Sequence, residues 1–202
     1  MNINVINNVP EIDITVNKSE DNGFTILVAS TKRKRLKDVP CGEAVQIGDR
    51  KYIVLEQSGD TTALIAEKIT KKMVFGNDGD YRSSKVRNYL NTEFFNELSS
   101  VVGEKNIVKH TVRLITDDGT GADRTCKDHV SLLTADLYRR YRKYLPANGE
   151  WWWLATRVSA EVSDCAHLVC CVRFDGVLVW DGSDDSLGVR PFCILNSSIL
   201  VS

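Results

Sequence analysis

Polar and apolar residues first alternate at Ile12-Asp13-Ile14-Thr15-Val16, and Phe24-Thr25-Ile26-Leu27-Val28 follows as a short apolar run. Both patterns predict strands. Ala44-Val45-Gln46-Ile47 and Lys51-Tyr52-Ile53-Val54-Leu55 flank Gly48-Asp49, a hairpin turn signal, and 61–66 (TTALIA) predicts a third strand. Val86, Leu90, Phe94 and Leu98 then recur every four residues, with Tyr89 beside them, just after Ser83-Ser84. That is the apolar stripe of a helix with a serine placed to cap it. An extended stretch is expected over 110–115 and a loop over 117–123. A second helix is expected over 134–145: Thr134 can cap it, Leu137, Tyr138, Tyr141 and Leu145 form its stripe, and Pro146 stops it. From Trp151 onward the pattern is strand-like, with turns at Asp175-Gly176 and Asp181-Gly182. Strands that do not alternate with helices predict an α+β fold with an antiparallel sheet, two helices packed on it and a long β-rich C-terminal region.

The basic run Thr31-Lys32-Arg33-Lys34-Arg35-Leu36-Lys37 precedes Pro40-Cys41-Gly42. It suggests a boundary, with residues 1–36 as a β-like appendage and 37–202 as the main domain. A chain of 202 residues with 43% hydrophobic and 26% charged residues is long enough to bury a core without metal or disulfide. A net charge of -1 argues against a nucleic-acid binder, because phosphate contacts need a basic excess. No run of about 18 apolar residues predicts a membrane span, and the N-terminal stretch lacks a secretory signal pattern. The expectation is synthesis in a cytoplasm, with no membrane insertion.

Chemistry-bearing motifs are sparse. No nucleophile elbow, phosphate loop, dinucleotide fingerprint or zinc-binding His-Glu motif occurs. Cys41, Cys126, Cys165, Cys170, Cys171 and Cys193 fit no zinc spacing and read as reduced, mostly buried thiols. A disulfide among Cys165, Cys170, Cys171 and Cys193 stays open at this level. A Cys–His pair of Cys165 or Cys171 with His167 is conceivable as a nucleophile. Asp181, Asp184 and Asp185 offer oxygens for calcium but lack the spacing of a calcium loop, so a solvated acidic turn is expected. Trp151, Trp152 and Trp153 cannot all face one way on a strand. They read as core packing ahead of an aromatic ligand cage. Arg190, inside an apolar closing segment before Pro191, reads as an ion-paired or carbonyl-bonding residue ahead of a ligand contact. No cofactor and no catalytic residue is expected.

Tyr81-Arg82-Ser83-Ser84-Lys85-Val86-Arg87-Asn88-Tyr89-Leu90-Asn91, Val130-Ser131-Leu132-Leu133-Thr134, Trp152-Trp153-Leu154-Ala155-Thr156 and Gly188-Val189-Arg190-Pro191-Phe192 stand in this order from about residue 37 to the end. Together they resemble the signatures of C-type-lectin-fold proteins of phages, prophages and archaeal viruses. Some members of that group are variable proteins of diversity-generating retroelements, in which template adenines are randomised. Asn codons treated in this way yield fifteen residue types but never Lys, Glu, Gln, Met or Trp. Residues 163–187 contain no Lys, Glu, Gln or Met, where overall composition predicts about three. Trp180 departs from this rule: either the template encodes it or the diversification reading fits less well there.

The resemblance implies a C-type-lectin-like domain with a variable segment about 163–187 and a ligand-binding face of Asp164, His167, Cys171, Arg173, Phe174, Val177, Val179, Trp180, Ser183, Asp184, Asp185 and Leu187. Val169, Val172, Leu178, Val189 and Phe192 would point inward. The function implied is a receptor-binding display protein on a virion or tail, not an enzyme, with a partner on a host or neighbouring cell surface. Residues 1–36 would attach it or mediate oligomerisation. Alternatives are an undiversified phage protein of the same fold, an enzyme on the related fold of formylglycine-generating enzymes, and a calcium-dependent sugar binder.

Overall fold

The computed structural model describes residues 12–18, 24–30, 33–121 and 124–202. Met1 to Glu11, Thr31 and Lys32 of the basic run, and Ala122 and Asp123 of the expected loop lie outside the described residues. The two N-terminal strands, Ile12–Lys18 and Phe24–Ser30, pair antiparallel with each other.

Two five-stranded sheets carry most of the remaining α+β fold, beside two short antiparallel pairs, Lys34–Arg35 with Leu200–Val201 and His110–Arg113 with Thr125–Asp128. The first runs in the order Val130–Ser131, Phe192–Asn196, Thr61–Ala66, Arg50–Ser58, Ala44–Ile47, all antiparallel. The expected hairpin forms with Ile47 opposite Arg50, and Gly48 takes φ +61° in its turn. The second sheet runs Leu178–Gly182, Leu168–Val172, Trp152–Arg157, Ser186–Val189, Lys71–Val74. One pairing in it departs from the antiparallel expectation: Trp152 pairs with Gly188 in parallel. The strand Lys71–Val74 was not expected, because its Lys-Lys-Met-Val sequence lacks a clear alternation.

The first helical stretch runs as α-helix Lys85–Tyr89, a π turn over Leu90–Phe94 and α-helix Phe95–Val102. Val86, Leu90, Phe94 and Leu98 are all buried, as the stripe predicts. A strict four-residue repeat drifts around an ordinary helix of 3.6 residues per turn. The wider π turn takes up part of that drift and helps keep the four side chains on the core side. Ser84 Oγ accepts from Arg87 N at 3.0 Å, which caps the start. Thr134 likewise caps the second helix at Leu137 N, but the α-helix covers only Ala135–Tyr141 and tightens to a 3-10 turn at Arg142–Tyr144.

The motif around the first helix latches it to the chain ahead of the second helix. Arg87 Nε and Nη2 grip Asp128 Oδ1 at 2.9 and 2.7 Å, and Asn91 Nδ2 donates to Val130 O at 2.9 Å while its Oδ1 accepts from His129 N at 3.1 Å. Alternation on one strand divides the core. Trp153 packs with Phe75, ring centroids 5.5 Å apart, and Trp152 packs on the opposite face with Tyr138 at 5.6 Å. Burying each indole removes roughly 150–250 Å² from water, about 4–6 kcal/mol of apolar transfer. The core-packing expectation for Trp152 and Trp153 is met; Trp151 is half-buried.

The expected division after residue 36 cuts through this core. Leu36 is buried in it, its N–H reaches Ile199 O at 2.9 Å, and Lys34–Arg35 pairs with Leu200–Val201. The main body therefore starts at or before Lys34, because the basic run hides one apolar residue that the core needs.

Candidate ligand-binding face

Strand Leu168–Val172 is buried on both sides from Val169 onward. Val169 and Cys171 belong to one core cluster, and Cys170 and Val172 to the other. Its partner, Leu178–Gly182, ends the sheet, with Cys170 opposite Trp180 and Cys171 opposite Val179. Residues directly opposite share a face, and neighbours along a strand take opposite faces. Trp180 therefore stands on the side of Cys170 and the second helix but beyond their cover, 58% exposed. Val179 lies on the other side, half-buried against the first cluster with Leu187 and Trp151.

The hairpin tip joining these strands is held tightly. Arg173 N donates to Val177 O at 2.9 Å, and Val177 N donates to Asp175 Oδ1 at 3.1 Å. The Arg173 guanidinium pairs with Asp175, and this pairing lowers the Asp175 carboxyl to about 2. Gly176 adopts φ +83°, and its carbonyl accepts from Tyr138 Oη at 2.5 Å. The tip presents Phe174 and Val177, 51% and 46% exposed.

A cleft of about 500 Å³ opens beside Phe174. Half-buried Trp151 and Leu187 line it with Asp181 and Ser186, and the Lys72–Glu150 ion pair, 2.7 Å long, also borders it. Of the expected face, Phe174 and Leu187 reach this cleft. Lys72 and Glu150 were missed: Lys72 sits on the unexpected strand Lys71–Val74, and Glu150 only a charge beside the tryptophans in sequence.

The expected face does not form one patch. Asp164, His167, Asp184 and Asp185 are exposed at the other end of the hairpin, separated from the tip by the strand's length, about 14 Å. The Asp181 carboxyl, hydrogen-bonded to Asp185 and repelling its charge, raises the Asp185 carboxyl above its usual range. Two expected members are corrected. Cys171 is buried because the strand that carries it is central to the sheet. Ser183 is buried because its backbone bridges two segments, its N–H donating to His167 O at 2.9 Å and its carbonyl accepting from Gly76 N at 3.1 Å. Val179 is a partial correction, being turned toward the core. Of the expected inward residues, Val169, Val172, Val189 and Phe192 are buried and Leu178 packs against the core from a half-buried position.

All six cysteines are free thiols. Burial pushes those of Cys170, Cys171 and Cys193 up to about 12, so they stay protonated and unreactive near neutral pH. No hydrogen bond among the described residues joins His167 to Cys165 or Cys171. Among the described residues no three His, Cys, Asp or Glu side chains converge to hold a metal, and no helix is long and apolar enough to cross a membrane. Comparison of the chain with protein-family models, curated proteins and solved structures finds no match.

Proposed function

We propose that this chain is a ligand-binding protein on a C-type-lectin-like scaffold, which presents the hairpin 168–182 and the cleft beside it to a macromolecular partner. The observation that carries the reading is the contrast along 163–187. Exposed Phe174, Val177 and Trp180 stand on a hairpin whose other strand is buried from Val169 to Val172. Large apolar side chains held rigidly in solvent suit an interface, where aromatic anchors supply most of the binding energy. Asp164, His167, Arg173, Asp184, Asp185 and Leu187 would set the polar and apolar surroundings of those anchors.

Close-packed interiors resist variation, and an exposed hairpin on a fixed backbone tolerates it. That supports reading 163–187 as a segment diversified by a retroelement, in a protein displayed on a virion or tail and directed at a host or neighbouring cell surface. No catalytic step belongs to this reading. The test is the DNA around the coding region. A near-copy of the 163–187 segment, differing only at template adenines and lying beside a reverse transcriptase gene, is expected. Absence of both removes the diversification and leaves a binding protein with a fixed face.

A further inference from the structure

Arg190 is 1% exposed, and no carboxylate among the described residues forms an ion pair with it. Its Nε donates to Ala66 O at 2.8 Å, and its guanidinium lies 5.0 Å over the Trp152 ring. Neither terminal nitrogen has a hydrogen-bond partner among the described residues. The sequence-based expectation of a carbonyl-bonding arginine is thus met by one nitrogen only. A buried charge without a counter-ion is costly, and a carboxylate is the partner that a guanidinium fork fits best.

Arg190 lines a cavity of about 510 Å³ between the segments 67–69 and 146–150. Asn148 lines it too. Its Oδ1 accepts from Glu150 N at 3.1 Å, which fixes the amide, and its Nδ2 is buried with no hydrogen-bond partner. Two residues that each hold a donor without an acceptor therefore line one cavity. Ile53, Ile69 and Pro146 supply apolar wall. Glu67 and Glu150 balance the charge of Lys68 and Arg190, which disfavours a phosphate or other polyanion.

We infer that this cavity binds a single carboxylate group carrying an apolar body, received by the Arg190 fork and Asn148 Nδ2. The carboxylate belongs to a free small acid or to the C-terminal residue of a peptide. Burial lowers the Arg190 guanidinium only to about 10, so it is charged at neutral pH. The site borders the cleft of the proposed binding face through Glu150 but does not depend on that face having a partner.

The test titrates the full chain at pH 7 with N-acetyl-L-leucine and with a pentapeptide ending in leucine, each beside its C-terminal amide. Binding is read by calorimetry and by the NMR signals of arginine Nε–H groups. The free carboxylate of at least one pair is expected to bind with a Kd of about 1 mM or tighter and its amide at least about tenfold more weakly. The tighter of the two acids identifies the source. Asn148→Asp keeps the acceptor for Glu150 N and sets a carboxylate beside Arg190. It is expected to fold and to lose at least about tenfold in affinity for the acid. Binding of neither acid, equal binding of acid and amide, or undiminished binding by Asn148→Asp would overturn the inference.

Discussion

Replacing Arg87 by methionine tests how the first helix is held. Asp128 has a side chain only 1% exposed, while that of Arg87 is 30% exposed. The guanidinium supplies the carboxylate with contacts of 2.9, 3.1 and 2.7 Å and ties itself to Arg82 O at 3.0 Å. Arg87→Met removes every one of them and, among the described residues, leaves the Asp128 carboxylate with only the weak Cys126 thiol donor at 3.6 Å. An unpaired buried carboxylate costs about 3–5 kcal/mol, a large share of the 5–15 kcal/mol that a domain typically has. Arg87→Lys keeps the charge but loses the fork, and is expected to cost about 1–2 kcal/mol. The double change Arg87→Met with Asp128→Leu should cost less than Arg87→Met alone, because no buried charge is left behind. Urea unfolding at pH 7 reads all three. A cost under about 1 kcal/mol for Arg87→Met, the range of an exposed pair, would refute the reasoning.

Alkaline pH should destabilise the fold. The thiols of Cys170, Cys171 and Cys193 rise from the usual 9 to about 12 on folding. Below pH 9 both states keep these protons. Between 9 and 12 only the unfolded chain loses them, so each thiol removes about 1.4 kcal/mol of stability per pH unit. Urea midpoints measured from pH 8 to 10.5 should fall, and Cys193→Ala should make the fall shallower; a flat profile would contradict the burial. Gly176→Ala sets a methyl group 2.5 Å from Arg142 Nη2 at a φ of +83°. It should cost about 1–3 kcal/mol, seen as a Tm lower by several degrees, and an unchanged Tm would show that the tip is looser than described.

The packing residues were the most legible part of the chain. Val86, Leu90, Phe94 and Leu98 announce a helix through spacing alone, and the hairpin at Gly48-Asp49 through turn chemistry. The tryptophan tandem needs only alternation to place Trp152 and Trp153 on opposite faces. The division of 163–187 into inward and outward residues was legible only in part. Cys171 and Val179 were misplaced because strand order is a tertiary property. Nothing local reveals that Leu168–Val172 is interior and Leu178–Gly182 terminal. The Arg87–Asp128 pair spans 41 residues and the Lys72–Glu150 pair joins a strand to a loop, so neither leaves a local signature. Leu36 was assigned to an appendage because six basic or polar neighbours mask one core residue.

The central claim is that a fixed frame carries an exposed face free to vary and bind. Two libraries test it, each randomised to the fifteen residue types of a diversified Asn codon. One varies Phe174, Val177, Trp180, Asp184 and Asp185; the other varies Val169, Cys170, Cys171, Val172 and Val189. Displayed clones are sorted first for protease resistance and then for binding to a purified target protein. Surface changes typically shift stability by only about 0.5 kcal/mol, and buried ones by several times that. The account predicts that most clones of the first library survive and that binders emerge from them, while the second is almost entirely lost. Equal survival of the two libraries, or a folded first library that yields no binder, would contradict it.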